Sequence, residues 1–500
     1  MARVTIPAPL GGVNLRDGIA NIQSPEAVTL NNLIPRPTCV ETRGATVDRG
    51  DAQVGSIRTL AGHPAGFLAV GGFNGVQNYL RAFNTTTNAY GAATGISANN
   101  APFWNTTLFQ SLLILTNGAD TPQAMNAGGG FAPLVITGVT ASTLWGCQTF
   151  KGRVFYWKEN AQAFWYAAAG AYQGALTEFD LSTYTVKDGY LFALVPLTID
   201  GGAGPDDLAA FVFSTGEVLL FQGDDPGDAN SWQQIGRFYI PTPIGPQCWQ
   251  ISGSASVVST EVGLVDLARA LAVGPYDASA LVGQQISGPR IADTESPIVR
   301  SQLQVVPNDN ILVWARYPAT SYLDGGALQV FAMDLGSKRW GVVEGWDTAT
   351  AIGICDNRLF VGDSQGYLNE YRTGGSTDTV GQTGSSFPIT YRGKGAFTDL
   401  GAPANRKQIT SVNLICDSST DSVALDATVT VYADYIDSSG GASVLVDSVF
   451  RDPTNQRGEH WARIMANGFR LSVELTFSGA GLGRGRWYGT DLQLRTGGEQ

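Results

Sequence analysis

The residue types that act as general bases, nucleophiles or metal ligands are few in this sequence, and their spacing argues against each of those chemistries. There are two histidines, His63 in AGHPAG and His460 in GEHWAR. Neither has a partner at the helical spacing of a zinc peptidase, and Ser364 in VGDSQG lacks the GxSxG turn of an esterase nucleophile. The five cysteines, Cys39, Cys147, Cys248, Cys355 and Cys416, stand at least 60 residues apart. No CxxC knuckle exists, and an odd count leaves no complete disulfide framework. Neither GxxxxGK(S/T) nor a strand-borne GxGxxG is present to cradle a phosphate.

Only the acids concentrate. Asp188, Asp200, Asp206, Asp207, Glu217, Asp224, Asp225 and Asp228 precede Gln234 with no lysine or arginine among them. Such a set could hold Ca²⁺, which takes about six to eight oxygen ligands, or supply the acid and nucleophile of a glycosidase. GDDPGDAN lacks EF-hand spacing, however, and DGGAGPDD suits a solvated loop equally well. The expectation is therefore no catalytic residue, no metal ligand and no cofactor-binding residue, in a protein that is not an enzyme.

The elements that would position these residues are strands. The 500 residues suffice for roughly two to four domains. Charged residues make up 15%, against about 25% in typical domains, and 62 glycines accompany 50 aromatic residues. That composition folds, with its surplus in turns. The net charge of −12 and pI near 4.7 remove any global electrostatic case for wrapping nucleic acid or coating an anionic membrane. Pro7, Pro9 and Asp17 interrupt the opening where a signal peptide needs a continuous apolar run, and no apolar stretch is long enough for a membrane helix.

Residues 1–50 carry Pro7, Pro9, Pro25, Pro35 and Pro37 and are expected to be an extended arm. Within it SPEAVTLNNLI has Ser24 as N-cap, Pro25 at the first helical position and Ala27, Leu30 and Ile34 on one face, which predicts a short helix ending before Pro35. The apolar Val4, Ile6, Leu10, Val13 and Leu15 predict that the arm packs on the C-terminal domain.

Over residues 51–371 short strands recur, beginning near Phe67, Leu112, Val154, Phe211, Val257, Ile311 and Leu359, at steps of 45, 42, 57, 46, 54 and 48 residues. Turns at Ser214-Thr215-Gly216, Asp334-Leu335-Gly336-Ser337 and Asp363-Ser364-Gln365-Gly366 separate β-rich runs as hairpin turns do. The spacing approximates a four-stranded propeller blade and predicts a β-propeller; one or two β-sandwiches would show the same alternation. Residues 372–390, rich in Gly, Ser and Thr, read as a linker. Residues 391–500 hold five or more alternating runs and read as a β-sandwich platform domain. Residues 401–450 sum to −4 and 451–500 to +2, opposed patches that suit contacts between copies in a ring.

Two segments carry a resemblance to a known family. IPAPLGGVNLRDGIANIQSPEAVTLNNLIPRPTCVETRGA resembles the opening of the tail hub or nozzle proteins of short-tailed bacteriophages, the tail-completion proteins below the portal and adaptor. The matching positions are Pro9, Gly11, Gly12, Arg16, Asp17, Pro25, Glu26, Ala27, Asn31, Pro35, Val40, Arg43 and Gly44. Residues 330–371 are similar to that family's closing blade, through Trp340, Gly345, Cys355, Leu359, Phe360, Gly362, Asp363, Gly366 and Tyr367. They depart from it at Ala332-Met333-Asp334, where Asn-Thr usually fills the turn. Gly485-Arg486-Trp487-Tyr488-Gly489 also resembles the family's exit, so the likeness extends over most of the length.

The resemblance implies a structural component of a bacteriophage tail, a homo-oligomeric ring of six copies that extends the DNA channel below the portal-adaptor. It implies an adaptor (head-to-tail connector) above, docked tail fibre, spike or needle proteins, and transient, non-specific passage of double-stranded DNA during genome ejection, without membrane insertion. It further implies a virion location after assembly in the host cytoplasm, where cysteines stay reduced. The alternative is a glycan-binding or glycan-degrading propeller protein of the tail, with Trp145, Trp157 and Trp165 as a platform.

Overall fold

The β-branched and aromatic runs form strands wherever Gly, Asn or Asp supplies a turn, and the sheets they build follow one another along the chain. The computed structural model describes residues 2–50, 55–99, 101, 103–200, 205–252, 255–274, 278–286, 298–319, 329–380, 386–418, 427–435, 441–446, 461–479 and 484–496. Sheet one contains Ser56–His63, Phe67–Phe73 and Asn78–Asn84, edged by Ala89–Tyr90 and Thr94–Gly95. Sheet two is Asn105–Phe109, Leu112–Thr116, Gln123–Met125 and Phe131–Pro133. Sheet three is Leu144–Phe150, Arg153–Lys158, Ala163–Tyr166 and Thr177–Asp180. Sheet four is Leu191–Asp200, Pro205–Phe213, Glu217–Gln222 and Gln233–Tyr239, and sheet five is Trp249–Ser252, Ala255–Thr260, Gly263–Asp266 and Leu281–Val282. Sheet six takes Ala349–Cys355, Arg358–Asp363 and Leu368–Arg372 and adds Ala45–Asp48 from the far end of the chain.

The seven residues whose spacing stood out in the sequence all lie in second strands of four-stranded runs, five in sheets one to five, Ile311 in Ile311–Pro318 and Leu359 in sheet six. All three predicted turns close antiparallel pairs, with Val212 opposite Val218, Met333 opposite Trp340 and Gly362 opposite Leu368. The expected β-propeller is corrected: no sheet closes into a barrel or curls into a propeller, and the fold is an all-β assembly of several sheets. Period-2 alternation fixes which face of a strand is buried and leaves the arrangement of sheets open, which is why the pattern over-reached.

Nor do arm, repeated region and C-terminal region keep to separate sheets. A nine-stranded sheet runs Ile298–Val306, Ile311–Pro318, Gln329–Asp334, Trp340–Val343, then Ala27–Asn31, then Thr390–Gly395, Leu471–Ser478, Ala427–Ala433 and Ala442–Val446. Across its face lies a six-stranded sheet in which Gly485–Thr496 pairs with Lys407–Ser418 on one side and with Val40–Thr42 and Ala2–Pro7 on the other. The largest apolar cluster fills the space between, joining Leu30, Leu33 and Val40 to Val429, Leu475 and Leu492. Val13 is buried in it, and Val4, Ile6, Leu10 and Leu15 pack against it.

Residues 24–34 are not a helix. Ala27–Asn31 and Leu33–Pro35 are strands separated by Asn32 at φ 60°. Val28 and Thr29 are β-branched, and the edges offered by Trp340–Val343 and Thr390–Gly395 give this backbone better partners than one short helix would. Pro35 ends an edge strand, where its missing N–H costs no ladder bond. Leu267–Val273 is the α-helix among the described residues, capped by the Asp266 side chain on the N–H groups of Ala268 and Arg269.

Neighbouring sheets meet through apolar layers. Sheets three and four share a cluster in which Phe164 stacks on Phe211 with ring centroids 4.9 Å apart and Phe221 on Trp232 at 5.4 Å. Sheet six packs on sheet one through Ile57, Leu68, Phe360 and Leu368. Burial in these layers pushes the Cys147 and Cys248 thiols up to about 12 and Cys355 up to about 11, and raises Cys39 and Cys416 as well. A thiol reagent should consequently find no more than Cys416, the one partly exposed cysteine, in the native protein and all five after denaturation without reductant. A denatured count of three would reveal a disulfide.

Candidate functional site

Several of the residues singled out for chemistry are held by partners of their own. His63 is buried, its Nδ1 accepting from the Ala65 N–H at 3.0 Å, so Nε2 bears the proton and donates to the Ser111 carbonyl at 2.8 Å. His460 lies outside the described residues. Glu217 is fully buried, accepts from the N–H groups of Val186 and Lys187 at 3.0 Å each and pairs with Arg237 at 3.2 Å. Asp225 pairs with Arg153 at 3.0 Å, Asp207 accepts from Thr198 Oγ1 at 2.9 Å, and Asp228 accepts from the Asn230 N–H at 2.9 Å. The side chains of Asp200 and Asp206 are outside the description. Among the described residues no three of His, Cys, Asp and Glu gather as metal ligands. Trp145, Trp157 and Trp165 are buried and form no exposed platform.

What the fold does gather is a charge junction. Arg43 follows the strand Val40–Thr42 and turns wholly inward, as does Asp378 from the Thr377–Asp378 strand; both are essentially unexposed. Arg43 Nε donates to Asn32 Oδ1 at 2.7 Å, Nη1 to the Gly44 carbonyl at 2.8 Å and to Asp378 Oδ1 at 3.1 Å, and Nη2 to the Glu344 carbonyl at 2.9 Å and to Asp378 Oδ2. Asp378 Oδ1 also accepts from Thr46 N at 3.0 Å and Thr46 Oγ1 at 3.1 Å. Burial works against the Arg43 charge, but the adjacent carboxylate outweighs it and holds the guanidinium protonated. Gly44 is required next to it, because a Cβ there would stand 2.1 Å from the Arg372 carbonyl oxygen.

A second network adjoins the first through Tyr371, whose Oη accepts from the Gly44 N–H at 2.8 Å. Arg36 donates to Glu41 at 2.9 Å, Asp334 at 2.8 Å and Asp309 at 2.7 Å. Arg484 reaches Glu41 at 3.3 Å and Asp309, and Tyr371 Oη donates to Asp309 Oδ2 at 2.6 Å. Arg486 lies 3.5 Å from Glu41. Two arginines of the basic stretch expected to face a neighbouring copy are thus engaged within their own chain. Burial raises the Asp334 carboxyl, but the Ser337 N–H and Arg36 outweigh it and hold it below its ordinary 3.8. Asp491, accepting from Arg3 at 2.6 Å and Thr5 at 2.5 Å, is lowered in the same way where Ala2–Pro7 meets Gly485–Thr496.

The arrangement holds segments of the chain together. A cavity of about 470 Å³ lies where sheets one, two, three and five meet Ile298–Val306, lined by Thr59, Asn105, Gln148, Gln247, Gln302 and Gln304 among others, none of them charged. Arg300 lies buried behind it, donating to Gln247 Oε1 at 3.0 Å. Such a lining can hold water or a neutral polar group.

Arg43 and Gly44 stood out in the sequence; Asp378, Arg36, Glu41 and Asp309 did not. The available signal for Asp378 is that it is the single charged residue between Arg372 and Arg392, in a stretch read as linker.

No protein-family model matches this chain, and no curated protein matches it in sequence. Among solved structures it is similar to the β-propeller domain of Cps50 (Swd1) from Myceliophteria thermophila, at 12% identity over 66% of this chain and 99% of that one with a TM-score of 0.42. It is also similar to YCF48 bound to D1 peptide, at 12% identity over 70% and 100% with a TM-score of 0.42, and to the computationally designed Ika8 protein, at 12% over 64% and 97% with a TM-score of 0.36. Likeness at this level assigns neither fold nor function. None of the three is named as a viral protein.

Two outcomes are expected of the junction. Arg43→Met leaves a buried carboxylate unpaired and should lower stability by about 3–5 kcal/mol, whereas combining it with Asp378→Leu should recover much of the loss. Denaturant titration of both variants checks this, and equal losses would mean that the hydrogen bonds to Asn32, Thr46 and Glu344 matter more than the charge.

The lowered carboxyls of Asp334 and Asp491 contribute stability that is present above the unfolded value and lost as pH falls through the folded one. Glu344, raised above 4.5 chiefly by burial, works the other way. Melting temperature against pH should therefore fall below about pH 4, and Asp334→Asn should flatten that limb. An unchanged limb would remove Asp334 as its source.

Proposed function

We propose that this chain is a structural component of a bacteriophage tail, forming a ring (nozzle or hub) that extends the DNA channel below the portal-adaptor and anchors fibres, spikes or needle. The observation that carries the reading is that the two segments bearing the resemblance meet at one joint. Val13 N donates to the Trp340 carbonyl at 2.9 Å, Asn32 N to the Val342 carbonyl at 2.7 Å, and Gly44 N to Tyr371 Oη at 2.8 Å. At Gly12, φ 82°, a Cβ would stand 2.9 Å from Trp340 N. Gly12, Gly44 and Trp340, three of the residues that carry the resemblance, sit at this joint between segments, which is what a load-carrying subunit requires.

Charge placement supports the same reading. Arg43, Arg58 and Arg300 are among the largest fully buried side chains, which leaves fewer cations to meet phosphates on a chain of net charge −12. A duplex passing such a subunit meets little that would hold it.

Light scattering and negative-stain images of the purified protein, alone and with its adaptor ring, test the proposal. A closed ring of six copies that joins the adaptor is expected, with attachment lost on deleting residues 2–20. A monomer that ignores the adaptor, or micromolar binding of duplex DNA at physiological salt, would overturn it.

A further inference from the structure

A second cavity, of about 530 Å³, opens on sheet six beside the junction. That volume lies within the range of about 300–1,000 Å³ typical of ligand sites. Its apolar side comes from Ala45, Val47, Val306 and Leu359, and its polar side from Arg358 and Arg372 with Glu370 between them. Glu370 is buried and faces three guanidinium groups: Arg49 Nε at 2.6 Å and Arg358 Nη1 at 3.6 Å from Oε2, and Arg372 Nε at 3.8 Å from Oε1. Arg49 makes the close pair, so the other two stand one on each carboxylate oxygen, beyond hydrogen-bond reach. The Arg372 side chain is half-exposed, with that long ion pair as its polar contact. Arg358 donates to the Thr85 carbonyl at 2.9 Å and lies 3.6 Å from Asp356. Three cations therefore face two carboxylates, Glu370 and Asp356, a local positive excess on an acidic chain.

We propose that this groove binds an acidic peptide segment of a partner protein, with a side-chain carboxylate bridging Arg358 and Arg372 and its aliphatic carbons on Ala45, Val47, Val306 and Leu359. Guanidinium groups present planar, paired N–H donors that suit a carboxylate, and donors not committed elsewhere bind it without breaking an existing bond. Two features favour a peptide carboxylate over a phosphate. Glu370 and Asp356 remain in place, so the excess is a single charge, which matches one carboxylate and leaves a dianion or a duplex backbone only partly neutralised. The apolar wall also gains from carbon atoms, which a phosphate lacks. The proposal does not rest on the tail reading, because it concerns the isolated subunit.

Fluorescence anisotropy with a labelled peptide of alternating Glu and Leu, titrated with the full chain, tests it. The expected result is saturable binding that weakens with salt, falls at least about tenfold in Arg358→Gln/Arg372→Gln, and is absent for the peptide with Gln in place of Glu. Circular dichroism of the double variant confirms folding, and Arg372→Gln alone, at a half-exposed position, carries the test if the double variant does not fold. No binding, equal binding of the Gln peptide, binding indifferent to Arg372, or tighter binding of inorganic phosphate or duplex DNA through the same arginines would each overturn the proposal.

Discussion

The buried pair of Arg43 and Asp378 is the constraint from which the rest of the structure follows. Each ion would be costly alone in an apolar interior, and each is tolerable because its hydrogen-bonding capacity is met. The donors and acceptors that meet it come from Asn32, Gly44, Thr46 and Glu344, as well as from the two ions. Satisfying one guanidinium therefore fixes residues 32–46, the chain after Trp340–Val343, and the approach to Thr390–Gly395 relative to one another. Geometry this specific reinforces the register that burial of one strand face already sets.

With that joint in place, the distribution of the first fifty residues becomes intelligible. Ala27–Asn31 sits between Trp340–Val343 and Thr390–Gly395, Ala45–Asp48 completes sheet six, and Ala2–Pro7 pairs with the end of the chain. Few of these strands could be stable as local hairpins, so most of their pairing is long-range and must wait for distant segments to form. Proline spacing keeps the pieces short enough to enter three different sheets. The segment ties together the regions that follow it.

Electrostatics divides the molecule in a related way. Arginines at 36, 43, 58 and 300 serve internal carboxylates and carbonyls, while the cavity among sheets one, two, three and five is lined by neutral amides and hydroxyls. The groove on sheet six differs, since there Arg358 and Arg372 stand loosely on a carboxylate that Arg49 already holds. Charge in this protein is structural wherever it is buried and fully paired, and available where pairing is long and exposure is partial.

The sequence by itself determined the strands, their turns and the scarcity of reactive side chains. Phe67, Leu112, Val154, Phe211, Val257, Ile311 and Leu359 mark successive four-stranded units because alternation and turn chemistry act over a few residues, and a few residues are what a sequence pattern records. It misjudged residues 24–34, where capping signals favoured a helix and strands on either side supplied the deciding partners. It also gave no hint that Asp378, in a stretch of glycine, serine and threonine, would lie against Arg43 across more than three hundred residues. Sheet arrangement, the merging of arm and C-terminal strands into shared sheets, and the charge junction were decided only in the tertiary structure. The physical reason is that the free energy of a buried ion or an added strand depends on which distant groups desolvate it and complete its hydrogen bonds, and local spacing carries no information about those groups.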